Sequence, residues 1–207
     1  MWVWTCGPKD EVKPPRLKLG LVSAAPVENP PGWKDLWRLS PFCPIAEGME
    51  VPGLPGARSL TVENAWQMLK IWPGEDGWRR ADAEEAFRSP IAIRYPRGRG
   101  RTACGFYWGE TGETLSLVEA RRRIYAPLYL AMLRCPEQAA LLGRLQCAAV
   151  ERGIVVWDFD SYDVLRCGMS DLSQAMRYES RSFAHSFIAA LAITGREAAI
   201  WNAGNRA

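Results

Sequence analysis

The sequence contains a single histidine, His185, among 207 residues. Common catalytic triads and most zinc sites contain histidine, so a chain with one histidine has few ways to form them. The six cysteines stand at positions 6, 43, 104, 135, 147 and 167, with no Cys-x-x-Cys pair. This spacing argues against a zinc site and a disulfide framework, and it favours a reducing, cytoplasmic setting. A lone histidine near the start of an apolar helix is most simply a structural residue.

Long apolar runs are also missing. The longest, near residues 154–157 and 188–194, are far too short to span a membrane. The N-terminal residues 1–6 are followed by Gly, Pro and charges, and a cleavable signal would have an apolar stretch there. No Gly-x-Gly-x-x-Gly, Walker loop, Gly-x-Ser-x-Gly or His-Glu-x-x-His pattern occurs. We therefore expect no membrane contact and no metal or organic cofactor, and we infer no obligate protein partner.

The composition is that of a globular protein, with 48% apolar and 24% charged residues. A chain of this length is most simply one domain over 1–207, with a strand-like N-terminal extension at 1–34 and a polar segment at 164–182 that we interpret as a lid. The net charge of +3 does not by itself imply a partner. Ten tryptophans are many for this length, and they serve either as core fillers or as surfaces for stacking rings.

The periodicity of apolar residues predicts more helix than strand. Helices are predicted at 61–70, 80–87, 115–134 with a kink or break at Pro127, 136–150 with a stop at Gly153, and 183–193. Strands are predicted at 2–5, 17–23, 102–108 and 154–158. Because the strands do not alternate regularly with helices, the fold class is α+β, rich in helix and with a few short strands.

The stretch at 61–70 is a short amphipathic helix that carries polar chemistry on one side. Ser59 or Thr61 can cap its start, and Pro73 follows its end. The buried stripe consists of Val62, Trp66 and Leu69. A carboxylate, an amide and an ammonium occupy positions i, i+4 and i+7 on a neighbouring stripe, at Glu63, Gln67 and Lys70. Such a row is typical of a polar face in water and also of a ligand site.

Residues 63–70, Glu-Asn-Ala-Trp-Gln-Met-Leu-Lys, resemble the Glu-His-Ala-Tyr-Gln-Ala-Gln-Lys signature of the NADAR family, which includes the YbiA-like N-glycosidases. The Glu, the aromatic residue, the Gln and the Lys match in position, with Asn64 in place of the His. The approach at 39–45, Leu-Ser-Pro-Phe-Cys-Pro-Ile, is similar to that of the family as well. The resemblance implies a YbiA-like fold, cleavage of N-glycosidic bonds, and a setting of phage conflict or nucleotide repair.

Four arginines fall within eight residues among Gly and Pro, which predicts an exposed basic loop. They are Arg94, Arg97, Arg99 and Arg101. A guanidinium group can bind two phosphate oxygens at once, and glycine lets the backbone approach a bound phosphate closely. The loop suits a nucleic-acid backbone or a pyrophosphate, although a merely solvated loop is an equal alternative.

A second polar group follows the strand predicted at 154–158. Alternation predicts that Trp157 and Phe159 face one way while Asp158 and Asp160 face the other. The family resemblance implies an acidic residue in this region. Both aspartates are candidates, and we favour Asp160.

Carboxylate chemistry is the chemistry that these residues support. Breaking an N-glycosidic bond needs a carboxylate to stabilise an oxocarbenium-like sugar or activate water, a donor for the departing base, and flat surfaces for the rings. The hypothesis is a metal-free N-glycosidase that cleaves between a base and a ribose or ADP-ribose-like sugar. Its predicted catalytic residues are Glu63, Asp160 and Lys70; its predicted substrate-binding residues are Trp66, Gln67, Asn64, Asp158, Arg94, Arg97, Arg99, Arg101 and Trp108.

Two alternatives stay open. One is a DNA glycosylase that flips a modified base out of duplex DNA, and it predicts DNA binding that weakens steeply with salt. The other is a non-catalytic module that binds a nucleotide or a protein. A free nucleotide and a nucleic acid such as DNA are both open as the substrate.

Overall fold

The computed structural model describes residues 3–10, 17–21, 29–74, 78–109 and 112–202. The fold is mixed α and β, rich in helix and with small sheets, as the sequence predicts. The chain forms two compact units, Met1–Ser40 with Leu133–Ala207 and Pro41–Met132. The single domain over 1–207 and the YbiA-like fold stay predictions.

The first unit is built on a parallel three-stranded sheet of order β1-β8-β2. Its strands are β1 (Val3–Cys6), β2 (Leu17–Gly20) and β8 (Ile154–Trp157). Every residue of β8 is buried, because β8 has a strand on each side and helices pack against it. The strands predicted at 2–5, 17–23 and 154–158 are confirmed, except that β2 ends before Leu21 and β8 ends before Asp158. Residues 2, 22 and 23 lie outside the described residues.

Two helices pack against β8 and against each other. These are α5 (Pro136–Glu151) and α6 (His185–Ile193). Proline at the first position starts α5, and Gly153 follows its end with a φ of +69°, a conformation that favours glycine. A 3-10 helix (Lys34–Leu39) and α7 (Ala199–Asn202) complete the unit's main elements. The helices predicted at 136–150 and 183–193 are confirmed.

The segment predicted as a lid contains two short 3-10 helices, Leu165–Cys167 and Leu172–Arg177. The second is anchored, since the side chains of Leu172, Ala175 and Met176 are buried. Closure of 164–182 over a site stays a prediction.

The second unit has two small antiparallel sheets. One pairs β3 (Met49–Glu50) with β4 (Arg58–Ser59), and the other has the order β5-β6-β7. The strands of the second sheet are β5 (Lys70–Ile71), β6 (Gly105–Trp108) and β7 (Glu113–Leu115). The strand predicted at 102–108 begins only at Gly105. Neither β5 nor β7 was predicted, because each is defined by pairing with β6.

Helix α1 (Val62–Met68) packs against α2 (Arg80–Phe87), whose predicted limits 80–87 are confirmed. The helix predicted over 115–134 is three consecutive segments: α3 (Leu117–Ala120), a π-helical turn (Arg121–Tyr125) and α4 (Ala126–Leu133). It starts late because Leu115 belongs to β7 and Ser116 forms a capping box with Glu119. The π turn ends at Tyr125, two residues before Pro127, whose missing N–H disfavours a regular α-helix in the preceding turn. Because α4 runs through Pro127, the predicted division into two helices at this residue is wrong, and the alternative of a kink stays a prediction.

Within the described ranges, every helix is too short or too polar to cross a lipid bilayer.

Candidate functional site

Helix α1 forms where its capping residue predicts. The Thr61 side chain accepts a hydrogen bond from the backbone N–H of Asn64 at 3.0 Å, and this satisfies one of the free N–H groups of the first turn. Val62 and Leu69 are buried, and Trp66 is half-buried. Lys70 lies just beyond the helix, in β5, so its predicted position on the last helical turn is wrong. Pairing of Lys70 with Phe106 of β6 ends the helix early.

The predicted polar row is nevertheless present as a hydrogen-bonded chain. The Gln67 Nε2 group donates to Glu63 Oε1 at 2.7 Å, and the Lys70 ammonium donates to Gln67 Oε1 at 2.8 Å. Glu63 and Gln67 are each only 7% exposed. A carboxylate and an ammonium are thus connected through one amide in surroundings that exclude most water, where electrostatic effects are stronger than in solution.

The ammonium of Lys70 lies close to two indole rings. Its Nζ is 5.6 Å from the ring centre of Trp66 and 5.7 Å from that of Trp72. Burial lowers the pKa of Lys70, and the negative charge of Glu63 offsets only part of this effect, so the pKa stays below its ordinary value. Lys70 therefore gives up its proton more readily than a lysine in water.

Trp66 forms part of an aromatic cluster. Its ring stacks on Phe106 at a centroid distance of 4.4 Å and meets Tyr125 edge-on at 5.1 Å. These contacts hold the indole in one orientation beside Lys70. The predicted role of Trp66 in binding a substrate ring stays a prediction.

Trp108 was also predicted to bind substrate, and the structure shows its ring in contact with other side chains. The guanidinium carbon of Arg123 lies 4.2 Å from the ring centre. A Cβ atom added at Gly53, which has a φ of +80°, would lie 2.8 Å from the indole, so only glycine lets the ring approach this loop. These contacts describe a packing role for Trp108.

Asn64 connects α1 to the segment that leads into the basic loop. Its Nδ2 group donates to the carbonyl oxygens of Ala86, Ser89 and Ile91 at 2.9, 3.0 and 3.1 Å. Its Oδ1 accepts from the backbone N–H of Ile93 at 2.7 Å. Because the Asn64 side chain is fully buried, these bonds describe a structural task, and the predicted contact with substrate stays a prediction.

The predicted basic loop is exposed. Arg94, Arg97, Arg99 and Arg101 are all exposed, and the segment has no helix or strand. The prediction of an exposed loop is confirmed.

Aromatic rings and backbone carbonyls contact these guanidinium groups; among them, Arg97 donates to the carbonyl oxygen of Pro96 at 3.4 Å. Arg94 lies over Phe42 at 5.8 Å and over Tyr95 at 5.3 Å, and Arg99 lies over Tyr95 at 5.2 Å. Arg101 donates to the carbonyl oxygen of Pro73 at 3.3 Å. Stacking on a ring leaves the N–H groups at the edge of a guanidinium available to phosphate oxygens.

A small cavity of about 50 Å³ lies beside the polar row, with room for a few water molecules. Its walls include Gln67, Lys70, Trp72, Trp78, Arg97 and Tyr107. Two members of the row and one arginine of the basic loop therefore border the same cavity, and Glu63 is linked to it through Gln67. Trp78 and Tyr107 were missed by the sequence analysis. The only signal was a tryptophan placed just before the start of α2.

The two predicted aspartates belong to the first unit and have different surroundings. Asp158 is 4% exposed, whereas Asp160 is exposed. Phe159 is 43% exposed although Trp157 is buried. The rings of Trp157 and Phe159 nevertheless lie 4.8 Å apart, edge to face, which agrees with their predicted place on one side of the chain. Burial stops following the alternation because β8 ends at Trp157 and the chain turns immediately afterwards.

The Asp158 carboxylate is held at the start of α6. Its Oδ2 lies 2.9 Å from Nδ1 of His185, and the backbone N–H groups of Asp160 and Ser186 also donate to it. Burial tends to raise the pKa of Asp158, but His185 and the two N–H groups outweigh it, so the pKa is lowered. His185 is 4% exposed, which agrees with the structural role expected from the sequence.

Most of the predicted residues belong to the second unit. They are Glu63, Asn64, Trp66, Gln67, Lys70, Arg94, Arg97, Arg99, Arg101 and Trp108. Asp158 and Asp160 lie in the first unit, so an encounter between Glu63 and Asp160 stays a prediction. Among the residues that the structure describes, no group of three or more His, Cys, Asp or Glu side chains is arranged to hold a metal ion.

Comparison with protein families matches residues 30–176 to a family of unknown function, DUF6939. The match covers most of the chain, including α1, the basic loop and Asp158, and the chain belongs to this family. Searches of the curated proteins and of the solved structures found no match.

Proposed function

We propose that the protein is an N-glycosidase that hydrolyses the bond between a base and a ribose or ADP-ribose-like sugar. The observation that carries the proposal is the hydrogen-bonded chain Glu63–Gln67–Lys70, whose last two members border an aromatic-lined cavity beside an exposed arginine loop. All of these parts lie in the second unit. The resemblance of residues 63–70 to the NADAR signature supports the same activity.

The proposed chemistry uses the charges of this row. As the bond from C1′ to the base breaks, positive charge develops on the sugar, and the carboxylate of Glu63 stabilises it. The departing base takes a proton from Lys70, whose lowered pKa favours this transfer. A water molecule adds its oxygen to C1′, and the proton that it loses restores Lys70. The proposed reaction needs no metal or organic cofactor.

The remaining predicted residues have binding roles in the proposal. The substrate's phosphate is contacted by the arginines of the basic loop, Arg94, Arg97, Arg99 and Arg101. The indole of Trp66 contacts a ring of the substrate. Asp160 supplies the second carboxylate. Its exposure supports this choice over Asp158, which is buried against His185. We place the activity in the cytoplasm, in phage conflict or nucleotide repair, on the basis of the family resemblance.

The test is release of free base, measured by chromatography, from nucleotides, ADP-ribosylated DNA and DNA with modified bases. Wild type is compared with Glu63→Gln, Asp160→Asn and Glu85→Gln. Glu85 is an exposed residue of α2 and provides a matched control for the loss of a carboxylate. We expect the first two variants to lose activity and the control to keep it. Full activity in both Glu63→Gln and Asp160→Asn would refute the assignment.

A DNA substrate is favoured by one specific observation, the exposure of all four arginines of the loop. If the protein excises a modified base from duplex DNA, the logarithm of its affinity for duplex should fall with the logarithm of salt concentration, with a slope of about one for each phosphate that the protein neutralises. Replacing Arg97 and Arg99 by Gln should lower that slope. A salt-independent affinity would contradict a DNA substrate and leave the free nucleotide. Ligand binding without product from any substrate would instead indicate the non-catalytic module.

A further inference from the structure

The cavity beside Lys70 has a wall that the proposed chemistry does not use. Trp78 lies between α1 and α2 in the chain and is half-buried. Its Nε1 group donates to the carbonyl oxygen of Met68 at 2.8 Å, and its backbone N–H donates to the Tyr107 hydroxyl at 2.7 Å. Its ring lies 5.2 Å from that of Tyr107, at an interplanar angle of 33°. The indole is thus fixed at both its ring and its backbone.

A fixed indole in a cavity wall is a suitable surface for a flat ring. Its polar N–H is already bonded to Met68, so what the indole still has to offer a ligand is its apolar π surface. Because Trp78 is already ordered, a ligand that stacks on it loses little additional side-chain entropy to the protein. Every nucleobase has such a π face, and stacking on aromatic side chains does not depend on base identity. The cavity is partly open to solvent, so a flat group can lie against Trp78 while the rest of the ligand extends outside.

The charges around the cavity favour an anion. Its lining includes three cations, Lys70, Arg79 and Arg97, and one carboxylate, Asp82, which gives a net charge of 3 − 1 = +2. Arg79 and Asp82 lie 3.8 Å apart and are both largely exposed, so their pairing is weak and does not remove Arg79 from a ligand. Arg97 is exposed at the cavity and belongs to the basic loop.

We infer that this cavity is a binding subsite for a nucleoside monophosphate group, with Trp78 as the platform for the base and Arg79 and Arg97 as contacts for the phosphate. The inference deepens the proposed function, on which it rests for the identity of the substrate, by naming the residues that select a base joined to a phosphate. In this inference Trp78 determines specificity for a ligand that carries a base, and it contributes to the binding of that ligand.

The experiment measures binding of three probes by calorimetry: adenosine monophosphate, adenosine and ribose phosphate. We expect adenosine monophosphate to bind most tightly. Trp78→Leu should lower the affinities for adenosine monophosphate and adenosine by about 10-fold, the usual size of one stacking contact, and leave the affinity for ribose phosphate unchanged. Arg97→Gln should lower the affinities for adenosine monophosphate and ribose phosphate and leave the affinity for adenosine unchanged. Trp78→Phe should keep most of the affinity.

Trp37→Leu, at a 41% exposed tryptophan of the first unit, is the matched control and should leave all three affinities unchanged. Circular dichroism checks folding, and if Trp78→Leu does not fold, Trp78→Phe and Arg97→Gln still decide the matter. An equal loss for ribose phosphate and adenosine in Trp78→Leu, or no binding of any probe by wild type, would overturn the inference. Base release without Trp78-dependent binding would overturn this inference alone, and Trp78-dependent binding without base release from any substrate would overturn the proposed activity alone.

Discussion

Replacing His185 with alanine removes the side-chain partner of a carboxylate that is buried at the end of β8. Asp158 and His185 are each 4% exposed, and their side chains lie 2.9 Å apart, so the Asp158 charge cannot turn to water when the imidazole is removed. Breaking a buried pair from one side typically costs about 3–5 kcal/mol. Two backbone N–H groups still bind Asp158 in the variant, which places the expected loss in unfolding free energy near the lower end, about 3 kcal/mol.

The assay is urea unfolding followed by circular dichroism. With a slope of about 2 kcal/mol per molar urea, His185→Ala should lower the midpoint by about 1.5 M. His185→Asn, which keeps an N–H donor near the position of Nδ1, should recover part of the loss. Arg88→Ala removes an exposed arginine from Glu84 and should change the midpoint little. A midpoint for His185→Ala within error of wild type would refute the reasoning that this pair joins the end of β8 to the start of α6.

Three further predictions concern pH, reactivity and loop order. The pKa of Asp158 is lowered in the folded state, so its contribution to stability is present above its unfolded pKa of about 3.9 and is lost as pH falls through the lower folded value. In Asp158→Asn, the unfolding free energy measured in an acid titration should not show this loss. The same fall in unfolding free energy at low pH in the variant and in wild type would contradict the prediction. Lys70 should react with an amine reagent at lower pH than the exposed Lys34, as mass spectrometry of labelled peptides reports; equal labelling profiles would count against its lowered pKa. Asn64→Ala should lower the unfolding free energy by about 2–4 kcal/mol and speed amide hydrogen exchange in residues 89–101, because buried backbone groups lose their hydrogen-bond partner. Unchanged exchange in this segment would show that Asn64 does not hold the loop.

The sequence predicts elements whose signals are local. Thr61 as a cap, the apolar spacing of α1 and the proline at the start of α5 each act within a few residues, and the structure confirms these helices. The exposure of the basic loop follows from its Gly, Pro and Arg content. The π turn ahead of Pro127 fits the missing N–H of proline, although the helix continues through that residue.

What the sequence does not predict depends on contacts between distant segments. Lys70 leaves the helix because β5 pairs with β6, more than thirty residues further along the chain. Asp158 is buried while Asp160 is exposed because α6 brings His185 to the end of β8, a contact that strand alternation cannot foresee. The place of β8 between β1 and β2, and the fixing of Trp78 by Met68 and Tyr107, are likewise long-range.

The measurement that tests the central claim most directly is the rate of base release by Glu63→Gln relative to Glu85→Gln on the best substrate of wild type. If the buried carboxylate stabilises the developing positive charge on the sugar, Glu63→Gln should be slower by a factor on the order of 100 or more, with both variants equally folded. Equal rates in the two variants would contradict the claim that the Glu63–Gln67–Lys70 row carries out the chemistry.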